Sequence, residues 1–142
     1  MATFVAGAVI PERAREAAAM AVADTVGVAL AGSIEPAARA VRDAISLSAE
    51  APCSVLGVSG RASAADAALA NGTAAHALDY DDMCFVSLAH PSAPLVSAGL
   101  AAAEPAIPSA CRVRAASRPS ARAAAAAAPT VPIEDVQCQP RW

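Results

Sequence analysis

Alanine occupies 43 of the 142 positions, and this abundance limits the possible fold classes more than any other feature of the sequence. Alanine is the strongest helix former and is depleted in strands. It also buries little apolar area per residue, so alanine-rich helices need larger apolar residues to fill the space between them. The chain has only four aromatic residues, Phe4, Tyr80, Phe85 and Trp142. The composition therefore predicts an all-α fold, an alanine-rich helical bundle.

The charge balance excludes several kinds of partner. The formal net charge is -3, and all ten basic residues are arginines. Phosphate binding needs a concentrated basic face, so we expect no nucleic-acid partner. The longest apolar helical run, residues 17–31, contains Asp24 and is shorter than the roughly 20 residues of a bilayer span, which predicts no membrane insertion. No basic residue precedes the apolar N-terminal stretch, so a signal peptide is not indicated.

The four cysteines, Cys53, Cys84, Cys111 and Cys138, show no CxxC spacing. This spacing gives no support for a zinc ribbon or a redox motif. Free thiols in a cytoplasmic protein are the simplest interpretation. We therefore expect a cytoplasmic location.

A shift in composition near Glu104 divides the chain. Six of the eleven prolines and five of the ten arginines fall in the last 39 residues, which lack an amphipathic period. We expect residues 1–104 to form a folded helical domain. Residues 105–142 are predicted to be an irregular, low-complexity tail rich in proline and arginine.

Helix start and stop signals predict four helices before the tail. Pro11 and Glu12 suit the first turn of a helix over residues 11–31, with Gly32 as a left-handed C-cap. Ser63 is a candidate N-cap, with Asp66 close to a capping-box position, for a helix ending near residue 78. The other two helices are expected at residues 36–48 and from Pro91 or Ser92 to residue 103. Residues 53–58 are predicted to be extended but too short to define a sheet.

Chemistry-bearing residues concentrate in residues 70–94, ANGTAAHALDYDDMCFVSLAHPSAP. His76 and Asp79 are three apart, as are Asp79 and Asp82, so on a continuing helix each pair shares a face. His90 directly precedes a predicted helix, whose N-terminus favours anions. Carboxylates beside imidazoles are suited to proton transfer next to an anionic substrate.

Structural explanations remain open for the same residues. The DYDD segment is equally typical of a solvated helix end, and His90-Pro91-Ser92 of a loop-to-helix junction capped by Ser92. The two histidines and three aspartates have no recognised metal-ligand spacing, so no metal site is predicted. Phosphate-binding glycine loops and a GxSxG nucleophile elbow are absent from the sequence. Cys84 has no identifiable orienting group beyond His90 and is interpreted as a loop thiol.

Three segments of the chain are distinctive: ADTVGVALAGS at residues 23–33, SVLGVSGRASAADAALANGTAAHALDYDD at 54–82, and HPSAPLVSAGLAAAE at 90–104. In these segments the chain resembles the N-terminal part of the MmgE/PrpD family, which includes 2-methylcitrate dehydratase, cis-aconitate decarboxylase and iminodisuccinate epimerase. The resemblance implies an all-α N-terminal domain, a homodimer, and lyase chemistry without a cofactor on a small di- or tricarboxylate.

The resemblance also implies roles for single residues. Asp79 and His90 correspond to active-site positions of the family and are the predicted catalytic residues. His76, Asp82 and Ser92 are predicted to bind substrate. Met83 stands where family members often have Thr, and residues 84–89 read CFVSLA instead of the usual loop, so the substrate is left open.

The family's chains are longer, and their further catalytic His, substrate-binding Lys residues and Tyr lie beyond the end of this sequence. We therefore expect a truncated lyase of the 2-methylcitrate dehydratase type that is inactive alone. The bias of the tail is typical of an out-of-frame reading of a GC-rich gene; a short paralogue with a disordered tail is the alternative. A different function class is a non-catalytic helical dimerisation module, and a product without function is a third possibility.

Overall fold

Four α-helices and a two-stranded sheet make up the part of the chain that the structure, a computed structural model, describes, residues 7–106. In chain order these are α1 (Glu12–Gly32), α2 (Pro36–Ala44), β1 (Cys53–Ser54), β2 (Arg61–Ala62), α3 (Ala64–His76) and α4 (Ser92–Ala103), followed by a 3-10 turn at Glu104–Ala106. The mostly helical architecture confirms the predicted all-α class. The predicted tail lies, apart from residues 105 and 106, outside the described residues.

Local signals account for the starts of the helices. Pro11 and Glu35 precede α1 and α2 with extended ψ angles, Glu12 stands in the first turn of α1, and Pro36 opens α2. Ser63 caps α3 as predicted, because its hydroxyl accepts a hydrogen bond from the backbone N–H of Asp66 at 3.2 Å. The same hydroxyl donates to the Asp66 carboxylate at 2.8 Å.

Two predicted helix ends are wrong. The second helix stops at Ala44 instead of residue 48, because Ile45 is extended and Ser48 pairs with Arg61 in an isolated antiparallel bridge. The third stops at His76 instead of residue 78. Gly32 is not a left-handed cap either: it is the last residue of α1, and Ser33 after it is right-handed.

The short extended segment does form a sheet, although only a small one. In the antiparallel register Cys53 faces Ala62 and Ser54 faces Arg61. The Arg61 guanidinium donates to the carbonyls of Ala51 and Pro52, to Ser54 Oγ at 2.9 Å and to the Glu104 carboxylate at 3.0 Å. These bonds tie the sheet to the end of α4.

Alanine dominates the core, whereas larger apolar residues were expected to fill the space between the helices. Nine of the eleven buried hydrophobic residues between 7 and 106 are alanines, and the largest fully buried side chain among them is Cys53. One cluster joins the sheet to α3 and α4, and a second joins α1, α2, α3 and α4. Helix α3 packs against the other three helices and is the centre of the bundle.

Small residues let the helices approach closely around α3. A Cβ atom added at Gly32 would lie 2.1 Å from the carbonyl oxygen of Ala74. Asn71, buried on α3, holds the loop after β1: its amide oxygen accepts from Leu56 N at 2.8 Å, and its amide nitrogen donates to Ser54 O at 3.0 Å. These contacts fix α3 and therefore the residues at its C-terminal end.

Among residues 7–106, no single helix has the length and hydropathy of a membrane span. Helices α1 and α2 meet that test only when taken together, and they are bent by 88° at the break between them.

Candidate active site

A left-handed turn after α3 shapes the candidate site. The N–H of Asp79 donates to the carbonyl of His76 at 3.0 Å, and Asp79 adopts a φ of 54°. Aspartate tolerates this conformation better than most residues do. Because the helix has already ended, His76 and Asp79 do not share a helical face, and that expectation is wrong. The turn instead brings Asp81 back toward His76.

Asp81 is the buried carboxylate at the centre of the site. Its side chain is only 1% exposed, and its two oxygens each lie 3.0 Å from His76 Nδ1. One oxygen also lies 3.3 Å from His90 Nδ1. The two imidazole rings meet edge to face, with centroids 4.7 Å apart. One carboxylate therefore serves both histidines of the chain.

His90 stands between two carboxylates. Its Nε2 lies 3.7 Å from Asp79 Oδ1, while its Nδ1 faces Asp81. The Nδ1 atom is buried but not aligned for a hydrogen bond, the one such side-chain nitrogen or oxygen between residues 7 and 106. Asp79 is largely exposed, so the Nε2 side of His90 faces the more open part of the site. The ring thus has a buried end and an accessible end.

Asp82 and Ser92 bind each other. The Asp82 carboxylate accepts from the Ser92 N–H at 3.0 Å and from the Ser92 hydroxyl at 2.7 Å. A carboxylate at the first residue of α4 is favoured by the helix dipole. This pair fastens the start of α4 to the DYDD segment and so places His90 beside Asp81. A substrate contact for Asp82 and Ser92 stays a prediction.

The loop between Asp82 and His90 is closed by its own backbone. Cys84 and Ala89 exchange hydrogen bonds, with Cys84 N to Ala89 O at 2.8 Å. Leu88 adopts a φ of 49°, which costs a bulky residue on the order of 1–2 kcal/mol. Hydrogen bonds from Ser87 lower the pKa of the exposed Cys84 thiol. The conformation of this loop places Leu88 in the wall of an adjacent cleft.

That cleft has a volume of about 740 Å³ and lies between α2, α3, α4 and the loop. His76, Thr73 and His90 are its polar side chains. The remaining lining residues are small or apolar: Ala37, Ala68, Leu69, Gly72, Ala77, Leu88, Ala89, Ala93 and Pro94. No arginine from the described part of the chain lines it, so the cleft presents imidazoles but no permanent cation.

Four residues of the site also have the donor set of a metal centre. One atom from each of His76, Asp79, Asp81 and His90 can be chosen so that all lie within 4.8 Å of one another. Sequence spacing gave no sign of this grouping. However, the two ring nitrogens of His90 face different carboxylates. A single ion would therefore have to replace one of these pairings.

The predicted site residues thus separate into two groups. His76 and His90 line the cleft, and Asp79 lies beside His90 without lining it. Asp82 and Ser92 bind each other and hold the start of α4. Asp81 was not among the predicted site residues. It lies five residues after His76, a spacing that does not place two side chains on one helix face, and the DYDD segment was the one sequence feature that included it.

The chain matches the family model of the MmgE/PrpD N-terminal domain over residues 1–127. The chain belongs to the MmgE/PrpD family. The resemblance drawn from three segments of the sequence is confirmed. The MmgE/PrpD match runs past Glu104 into the predicted tail, and the domain boundary at residue 104 stays a prediction. Comparison with curated proteins and with solved structures gives no match.

Proposed function

We propose that this domain carries the proton-transfer site of an MmgE/PrpD lyase, of the 2-methylcitrate dehydratase type, acting on a small di- or tricarboxylate. The observation that carries the proposal is the placement of His90. His90 lines the cleft, its Nε2 lies 3.7 Å from Asp79, and its opposite nitrogen faces the buried Asp81. An imidazole flanked by carboxylates is suited to accept a proton and to hold the resulting positive charge.

In this mechanism His90 Nε2 removes a proton from the carbon next to a substrate carboxylate. The electrons of the broken C–H bond form the carbon–carbon double bond, and hydroxide departs from the neighbouring carbon to leave as water once protonated. Asp79 stabilises the imidazolium formed, or holds the substrate hydroxyl, from 3.7 Å away. His76 offers a second imidazole to a substrate carboxylate.

Charge limits what this site does by itself. A polycarboxylate needs cations or hydrogen-bond donors to stabilise the negative charge that develops during proton removal. The sequence contains no lysine, and no arginine of residues 7–106 lines the cleft. We therefore include in the proposal that the 142-residue chain alone does not turn over 2-methylcitrate or cis-aconitate.

Titration of the chain with 2-methylcitrate, followed by the ring-proton NMR signals of the two histidines, tests this function. At mildly acidic pH, where imidazoles gain charge, we expect both signals to move and to saturate in the millimolar range, about -4 kcal/mol of binding free energy. His90→Ala should abolish the saturable change at His76, while Asp24→Asn, an exposed change on α1, should leave it intact.

Glycerol, which carries hydroxyl groups but no carboxylate, should produce no shift. Signals that stay unmoved by 2-methylcitrate and cis-aconitate would contradict a carboxylate site. Turnover by the chain alone that disappears with Asp79→Asn or His90→Ala would refute the proposed inactivity.

The second candidate is a non-catalytic helical dimerisation module. It is supported by large apolar side chains that the described helices leave exposed, among them Met20 on α1, Leu69 on α3 and Leu95 on α4. Self-association would bury them, and the resemblance to the family implies a homodimer in any case. The two candidates differ in whether carboxylates bind at His90.

A further inference from the structure

We propose that Asp81 is the positioning residue of this site and that its single carboxylate sets the tautomer of both histidines. The inference rests on the proposed function only in the roles given to the two Nε2 atoms, which are to accept a proton or to contact the substrate. Its structural content is independent of any substrate, because it follows from how the three side chains meet.

The Asp81 carboxylate is buried. Asp81 is the one ionisable side chain among the buried polar residues between 7 and 106; the others are Thr25, Ser33, Asn71 and Ser97. A buried carboxylate is costly unless hydrogen-bond donors surround it. The nearest donors are the two Nδ1 atoms, at 3.0 Å on His76 and 3.3 Å on His90.

The tautomer follows from the direction of the hydrogen bonds. A carboxylate only accepts, so the His76 Nδ1 that contacts Asp81 carries a hydrogen. A neutral imidazole has one N–H, and the hydrogen bond made by one nitrogen decides the state of the other. His76 Nε2 is therefore a lone-pair acceptor. At His90 no aligned hydrogen bond exists, but the buried Asp81 oxygen lies nearer to Nδ1, at 3.3 Å, than the exposed Asp79 oxygen lies to Nε2, at 3.7 Å. The nearer, buried carboxylate favours the hydrogen on Nδ1, which leaves the lone pair on Nε2.

The unaligned contact of His90 shows what protonation changes. His90 Nδ1 is buried near Asp81 without a hydrogen bond. The charged groups facing this ring are Asp79 and Asp81 from the turn after α3 and His76 from α3, while Asp82 is engaged by Ser92 of α4. Once His90 holds two N–H groups, Asp79 and Asp81 pair with one each after a small rotation of the ring. Asp81 and Asp79 are thus positioned to accept the two N–H groups of a doubly protonated ring.

Long-range ¹⁵N–¹H NMR of histidine-labelled protein tests this directly, because the chain has two histidines and each gives one pattern. In chelator-treated wild-type protein at pH values where the rings are neutral, we expect the Nδ1–H tautomer to predominate at both. Asp81→Asn should move at least one ring to the Nε2–H tautomer, because the amide of asparagine donates as well as accepts. Asp24→Asn is the matched control and should leave both patterns unchanged.

Circular dichroism will show whether the Asp81→Asn protein keeps its helices. If it does not fold, the tautomers measured in the wild-type protein test the proposal. A predominant Nε2–H form at His76 or His90 in the wild type would overturn the proposal, as would unchanged tautomers in a folded Asp81→Asn protein. Ring shifts typical of zinc ligation that survive chelator treatment would also overturn it in favour of a metal centre. Expected tautomers without any response to 2-methylcitrate would support the role of Asp81 and contradict the proposed lyase function alone.

Discussion

Two cysteines with opposite surroundings illustrate how single residues acquire their chemistry. Burial raises the pKa of the Cys53 thiol, with a smaller contribution from the negative charge of Glu104. Cys84 lies exposed in the loop beside the site, and hydrogen bonds, first from the Ser87 side chain and then from backbone groups, lower the pKa of its thiol. Since the thiolate is the nucleophile, the exposed residue is the more reactive.

We expect iodoacetamide at neutral pH to alkylate Cys84 well before Cys53, as measured peptide by peptide with mass spectrometry. Ser87→Ala removes the main cause of the lowered pKa, so the pH midpoint of Cys84 alkylation should move upward and the rate at neutral pH should fall. Cys53 provides the internal comparison in the same sample. A Cys84 rate indifferent to Ser87→Ala would show that the loop hydrogen bond does not act on the thiol.

The last residue of helix α1 lies very close to the backbone of helix α3. This residue, Gly32, stands where any Cβ would meet the backbone of Ala74 on α3. The obstructing atom belongs to backbone, so no side-chain rotation relieves the contact. In the middle of the same helix, a Cβ added at the exposed Gly27 would meet nothing within 4 Å. A side chain is therefore excluded by packing at Gly32 and accommodated without a clash at Gly27.

Gly32→Ala should lower the free energy of unfolding by about 1–3 kcal/mol, the usual cost of overpacking, because α1 and α3 must separate. Gly27→Ala should raise it by about 0.5–1 kcal/mol, the gain in helix propensity. Urea unfolding followed by circular dichroism measures both. Equal stability of the two variants would mean that the helices do not cross as closely as the Gly32–Ala74 contact requires.

Between residues 7 and 106, the protein combines a core of small residues with large apolar side chains that are exposed. Alanines fill the interior between residues 7 and 106, while exposed leucines, valines and methionines remain outside. Full burial of one such side chain is worth about 1.5–3 kcal/mol. Contiguous exposed apolar area generally marks an interaction surface.

Light scattering should accordingly give a mass near twice 14.0 kDa at micromolar concentration, falling toward 14.0 kDa on dilution. Leu95→Asp, on the exposed face of α4, should shift this equilibrium toward monomer if that face pairs, while Asp24→Asn should not. A monomer at every concentration would contradict both the homodimer and the dimerisation module.

Much of the helical framework could be predicted from short-range signals. The capping hydroxyl of Ser63 and the proline that opens α2 act through neighbours within four residues, so the sequence displays them directly. The start of α4 at Ser92 was predicted as well, although Asp82, ten residues away, holds it. The types and near spacing of His76, Asp79 and His90 indicated proton transfer, which stays a prediction. Family membership likewise followed from three contiguous segments and is confirmed.

The sequence by itself determined the all-α class and the helix starts, because propensity and capping are local properties. Tertiary structure decided where α3 ends, which aspartate is buried and why Gly32 is a glycine. Asp79 and Asp81 are two residues apart and chemically identical. The packing of the turn against α4 leaves one in solvent and closes the other between two histidines, and no local signal distinguishes them.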